Sequence, residues 1–148
     1  LGPDTVVVRC GGLRDTTECR AAYLVVQDHL NDVRKIYLLK RSFSLGELRF
    51  AQKCRQQAEQ GESAAAARIK ALTMLQRDKE EMDLAGTLCT YLLDAEASVT
   101  KTASLLYLHK NTVKYRIRRL SDLLGFRPGK LPETAELYEA VGIYRLLC

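Results

Sequence analysis

No CxxC pair occurs in the sequence, and its five cysteines (Cys10, Cys19, Cys54, Cys89, Cys148) are odd in number and scattered. Only His29 and His109 supply imidazoles, and neither has a cysteine cluster around it. A zinc centre needs grouped thiolates and imidazoles, and a secreted disulfide scaffold needs paired cysteines. The sequence therefore argues against both, and a reducing, cytoplasmic setting is expected. It also lacks G-x-S-x-G, a P-loop and H-E-x-x-H, so no catalytic constellation stands out, and neither an enzymatic activity nor a cofactor is expected. Cys54 and Cys89 fall on helical patterns with no base nearby and read as small buried apolar residues. The longest uninterrupted apolar run, residues 21–26, is far short of the roughly 20 residues that cross a bilayer, so no membrane span or signal peptide is expected. The sequence opens on Leu1 without a methionine, as a piece of a longer chain would.

Acidic residues are scarce in one place in particular. Residues 101–130 hold a single acid, Asp122, against eight Lys or Arg, a local charge of +7; the other 118 residues then carry −2 of the overall +5. A basic segment on a slightly acidic body is the electrostatic footprint of a protein that meets phosphates at one location. Within that segment Val113, Ile117, Leu120 and Leu124 recur at the spacing of one helical stripe, while Lys110, Asn111, Lys114 and Arg118 fall on the opposite face. Such a helix can be merely a charged surface helix. Its upstream neighbour decides otherwise. After a loop at residues 95–99, Thr100 is placed to cap a two-turn helix with Ala103 and Leu106 inward, and Leu108 and His109 turn the chain into the basic helix. A small residue at 103 with Val113 and Ile117 beyond it lets two short helices cross closely, as a helix-turn-helix requires. Tyr107 stands where glycine often supplies a left-handed turn, at a cost of about 1 kcal/mol for tyrosine, so a differently built turn is expected.

Elsewhere the β-branched run Thr5-Val6-Val7-Val8-Arg9, bounded by Gly2-Pro3 and Gly11-Gly12, predicts a short strand. Ala22, Tyr23, Val26 and Leu30 predict a helix from Thr17 to about Asn31, and Ile36-Tyr37-Leu38-Leu39 a second strand. Two strands are too few for a stable sheet, so further strands would come from upstream sequence or a partner chain, or the strands are misassigned. Ser44 and Glu47 form a capping box opening a helix to about Gln60, and Gly61 ends it. Ser63 is placed to cap a helix with Ile69, Leu72 and Leu75 inward. Asp78 with Glu81 predicts a further cap, the acids Asp78, Glu80, Glu81 and Asp83 reading as a solvated first turn, and Met82, Ala85, Cys89 and Leu92 as the buried stripe of a helix ending near Asp94. Gly125 should stop the basic helix, with Phe126 folding back and Pro128 barring continuation. Pro132 opens a last helix whose stripe Leu137, Ala140, Val141 and Tyr144 would pack on the 78–94 helix. The fold expected is mainly α: a helix-turn-helix bundle over residues 77–148, preceded by a small α/β and helical segment over residues 1–76 that supplies oligomer contacts.

Thr87-Leu88 with Tyr91-Leu92, Thr102-Ala103 with Leu106, His109-Lys110-Asn111-Thr112-Val113 with Tyr115-Arg116-Ile117, and Leu124-Gly125 are the residues that carry a family resemblance. Through them residues 84–147 resemble the C-terminal DNA-binding domain of the purine-catabolism (PucR) and sugar-diacid (CdaR) regulator families, with the His-Lys-Asn-Thr block and the Tyr-Arg after it the most specific part. The resemblance implies a bacterial transcriptional regulator with a two-helix reader similar to that of Fis-type proteins; a bulky residue at 107 is usual there. Residues 1 to about 60 resemble, more faintly, the tail of the middle domain of such regulators, distantly related to nucleotide cyclases. The residues after Gly11-Gly12, Leu13-Arg14-Asp15, lack the acidic and aromatic groups that would hold metal and nucleotide, so the glycines read as a turn after a strand.

The N-terminal residues of a recognition helix usually meet base edges in the major groove, and later ones lie along the backbone. Lys110, Asn111 and Lys114 are the candidates for base readout. Lys101, Thr102, Thr112, Arg116 and Arg118 are candidates for phosphate contact. Tyr115 reaches the sugar-phosphate backbone or packs beside Arg119, and His109 caps the helix or meets a phosphate. The expected partner is double-stranded DNA, bound by a homodimer or larger homo-oligomer because one such module reads only a few base pairs. A small-molecule effector is compatible with the resemblance, and no residue is nominated for one. The alternative of a different class is a protein-interaction module on a helix-turn-helix scaffold, which would depend on an exposed apolar patch instead of basic residues.

Overall fold

The computed structural model describes residue 2, residues 4–76 and residues 82–148. Its elements in chain order are β1 (Val7–Arg9), α1 (Thr16–Ile36), β2 (Ser42–Ser44), α2 (Leu45–Glu59), α3 (Glu62–Gln76), α4 (Leu84–Cys89), a π-helical turn (Thr90–Asp94), α5 (Val99–Leu105), α6 (Lys110–Leu124) and α7 (Glu133–Leu147). The architecture is mainly α. β1 and β2 form a parallel pair, Val8 opposite Phe43, bridged by α1 in the strand-helix-strand order expected from the sequence.

The second strand is not where its apolar run suggested. Ile36 closes α1 and Tyr37 caps it, both buried, because Val33 and Ile36 extend the stripe of Ala22 at helical spacing. Leu38 and Leu39 are left exposed, and the strand forms instead around buried Phe43. Tyr23, beside Ala22 in sequence, also turns to solvent, since a neighbour in a helix lies about 100° away. Asp15 starts α1 by accepting the amide of Glu18 at 2.8 Å.

Ser44 makes the full capping box: its Oγ accepts from the Glu47 amide and Glu47 Oε2 accepts from the Ser44 amide at 2.8 Å. α2 then buries Leu45, Leu48, Ala51 and Cys54. Burial pushes the Cys54 thiol up to about 12, which suits an inert packing residue. Gly61 follows α2 at φ +121°. α3 begins at Glu62, so Ser63 is already inside the helix and does not stand at its N-cap. Leu72 and Leu75 are buried as expected and Ile69 packs beside them. The expected cap by Asp78 and Glu81, and Glu80 with it, lies outside the described residues. α4 starts later, at Leu84, where the Asp83 carboxylate accepts the Gly86 amide at 2.7 Å. A single wider turn follows without a break, its end marked by Ala95 N–H donating to Thr90 O at 2.9 Å.

α7 departs from its expected docking. Pro132 sits at its N-cap, one residue before the first helical position. Leu137, Ala140 and Val141 are buried and Tyr144 half-buried, yet the helix packs on α1, α2 and α3 more than on α4 and the π-turn. Gly142 aids this: a Cβ there would lie 2.8 Å from the Phe50 ring and 3.0 Å from Cys54 Sγ, so a side chain at this position would push the Phe50 ring out of its place between α7 and α2. Tyr138 packs against Phe50 with the rings tilted by 52° and their centroids 4.8 Å apart, and its hydroxyl meets that of Tyr37 at 2.8 Å. The apolar core consequently runs without interruption from Val33 in α1 to Leu146 in α7.

Candidate nucleic-acid interface

α5 is short, and its start is fixed by Ser98, whose Oγ accepts from the Lys101 amide at 3.3 Å. Thr100, expected to be the cap, lies inside the first turn. Ala103 faces α6 and is buried, which permits the close crossing anticipated from its size. α5 ends by a reversal in which Leu108 N–H donates to Ala103 O at 2.9 Å and Tyr107 N–H to Ser104 O at 3.3 Å. Tyr107 takes φ +54° to do so, the left-handed backbone that its bulk argued against. Two helix-end carbonyls gain donors in this reversal, and partly buried Leu108 packs on the core, which together offset a strain of about 1 kcal/mol. The Tyr107 ring itself is 97% exposed.

His109 caps α6, its Nδ1 accepting the Asn111 amide at 3.2 Å. Val113, Ile117 and Leu120 are buried as one stripe. Lys110, Asn111, Thr112, Lys114 and Arg118 are all exposed, and Tyr115 is half out at 52%. The three residues expected to read bases thus share the outer face of the N-terminal half of α6. Gly125, at φ +77°, ends the helix, and Phe126 tucks back against the core.

Two candidates for phosphate contact are placed elsewhere. Thr102 is fully buried and its hydroxyl donates to Ser98 O at 2.7 Å, because its position four residues after the cap points it at the core side. Arg116 lies two residues, about 200°, round α6 from both Lys114 and Arg118, which occupy the outer face. Its Nη1 donates to Thr87 Oγ1 at 2.9 Å, tying α6 to α4. Lys101 is exposed but engaged: Glu96 accepts from its Nζ at 2.9 Å and also lies 3.6 Å from Lys40 Nζ. The Lys101 hydrogen bond, with the charge of both lysines, holds the Glu96 carboxyl below its ordinary value. Sequence reasoning missed Glu96 and the cap at Ser98. A serine three residues before a lysine amide was a weak signal for the cap, and none marked Glu96, whose pairing depends on a loop with left-handed residues at 96 and 97.

Two helices crossed through a small residue, joined by a tight turn and presenting the N-terminal half of the second, define a helix-turn-helix domain. Residues 84–143 match the PucR C-terminal helix-turn-helix domain. The chain is 36% identical over 76 residues to the purine catabolism regulatory protein of Bacillus subtilis (strain 168). That match covers 51% of this chain and 14% of the relative. No solved structure matches the chain significantly. Among the described residues, no helix is long and apolar enough to cross a membrane.

Proposed function

We propose that this chain is a cytoplasmic, sequence-specific DNA-binding regulator of transcription, with α6 as the recognition helix in the major groove. The observation that carries the reading is the split of α6 into a buried stripe, Val113, Ile117 and Leu120, and an exposed face bearing Lys110, Asn111, Lys114 and Arg118. An α-helix fits the major groove, where Asn pairs with adenine in a bidentate way and Lys donates to guanine, each good contact discriminating by about 1 to 3 kcal/mol. Lys110, Asn111 and Lys114 read bases. Arg118, Thr112 and Tyr115 fix the register on the backbone, and Lys101 joins them by exchanging Glu96 for a phosphate. Useful specificity calls for two such helices about 34 Å apart on one face of the duplex, so the acting species is a homodimer or larger homo-oligomer.

The test is a fluorescence-polarisation titration of the chain against duplexes from the region upstream of its own coding sequence and against a scrambled duplex, at several salt concentrations. Saturable binding that prefers the native duplex and weakens steeply with salt is expected. Asn111→Ala should relax the preference at one base position and leave binding to the scrambled duplex nearly intact. A folded chain that binds no duplex at low salt sinks the reading. A strictly monomeric mass on the native duplex at saturation removes the oligomer from it.

A further inference from the structure

Beyond the two-helix reader, one cleft gathers cations that the sequence did not connect. Val99 at the start of α5, Lys114, Ile117, Arg118 and Ser121 on α6, and Arg127 in the following loop line a recess of about 330 Å³. Its floor is apolar, from Val99 and Ile117, and its rim carries three positive charges. The Ser121 hydroxyl is turned away, donating to Ile117 O at 2.8 Å. Lys114, Arg118 and Arg127 form no ion pair or hydrogen bond with any described side chain, and Asp122, one turn beyond Arg118, makes no ion pair with any of the three. Three like charges held around one recess repel each other, and an anion seated among them relieves that repulsion. Arg127 is held there by its neighbours: Gly125 reverses the chain at φ +77°, Phe126 and Pro128 are anchored on either side, and Lys130 N–H donates to Arg127 O at 3.2 Å.

We propose that this cleft seats a backbone phosphate of the bound DNA and that Arg127 is its anchor, a phosphate contact outside the two helices of the reader. The inference rests on the DNA-binding reading of α6 and adds a contact to it. Ile117 and Val99 offer the apolar surface against which the adjoining deoxyribose lies, and the planar guanidiniums of Arg118 and Arg127 suit the phosphate oxygens. Lys114 spans both roles, with its stem on the cleft wall and its ammonium toward the groove.

The experiment uses the full chain and the polarisation titration above with four proteins: wild type, Arg127→Ala, Arg127→Lys and Lys130→Ala. Lys130 is an exposed cation on the same loop that does not line the cleft, so it controls for net charge. Arg127→Ala should weaken native and scrambled duplexes alike, keep their ratio, and lower the salt slope by about one unit. Arg127→Lys should keep most of the slope, and Lys130→Ala should change it little. A scan with duplexes carrying a single uncharged methylphosphonate should find one position that weakens wild type and no longer weakens Arg127→Ala. An unchanged slope in Arg127→Ala, or an equal loss in Lys130→Ala, overturns the inference while the reading of α6 stands on the Asn111→Ala result. Absence of DNA binding by wild type removes both. Should Arg127→Ala melt earlier than wild type, the methylphosphonate comparison with Arg127→Lys still decides, because a destabilised chain loses affinity at every duplex equally.

Discussion

Arg116 and Arg118 are indistinguishable in a count of charge, and the fold gives them opposite surroundings. Arg118 faces solvent from the outer side of α6, whereas Arg116 hydrogen-bonds Thr87 on α4. Arg116→Ala should therefore cost about 1.5 kcal/mol of stability in a denaturant melt, the worth of a hydrogen bond to a charged group, and leave the salt slope of DNA binding unchanged. Arg118→Ala should do the reverse, leaving stability within about 0.5 kcal/mol and lowering the slope by about one unit. Helical period alone separates the two positions, but it does not say which faces a neighbour until the place of α4 is known. A second residue shows the same dependence on tertiary neighbours. Asp32 on α1 is buried, which works to raise its pKa, but hydrogen bonds from Arg55 on α2 and His29 outweigh this and hold its carboxyl below the usual value of about 3.9. The unfolded chain then takes up this proton first as pH falls, so the stabilisation is present above about pH 4 and lost as pH drops through the folded value. Melts of wild type and Asp32→Asn across pH should show a gap that is full near neutrality and closes in acid.

At the scale of elements, what the sequence made legible were helix ends and faces, because both are set by local chemistry. The capping box at Ser44, the stop at Gly125 and the stripe Val113-Ile117-Leu120 all formed as read. Short apolar runs were ambiguous. Ile36-Tyr37-Leu38-Leu39 suits a strand by composition, and a helix claimed its first residue because Val33 and Ile36 both reach the core beside α2. The turn between α5 and α6 was misjudged for the opposite reason: a local cost was weighed without the hydrogen bonds that oppose it. That cost remains measurable. Asn tolerates the left-handed region better than tyrosine, and the Tyr107 ring contributes no burial. Tyr107→Asn should raise stability by about 0.5 kcal/mol, read as a higher denaturation midpoint at unchanged m-value. A lower midpoint would mean that the exposed ring makes a stabilising contact.

At the scale of the whole molecule, α7 decides how far the helix-turn-helix segment depends on the helices before it, and no periodicity could disclose this. Its Arg145 is the centre of a buried junction: Nη1 donates to Asp94 Oδ2 at 2.6 Å and to Ile36 O at 2.8 Å, while Asp94 Oδ1 accepts the Leu39 amide at 3.2 Å. The end of α1, the π-turn ahead of α5 and the last helix thus meet at one ion pair, with the Asp94 side chain fully buried and Arg145 at 9% exposure. Removing one partner strands a charge in the core, which costs about 3 to 5 kcal/mol, whereas replacing both by apolar groups of similar size is far milder. Arg145→Ala should accordingly lower the stability of the chain by that amount, and Asp94→Leu with Arg145→Met should recover most of it. Because the junction and the continuous core tie both halves together, the loss should appear as one cooperative transition, in which helicity by circular dichroism and binding to a labelled duplex disappear at the same denaturant concentration. Two separated transitions, with the helix-turn-helix segment outlasting α1 and α2, would show instead that the halves fold independently and that the junction only docks them.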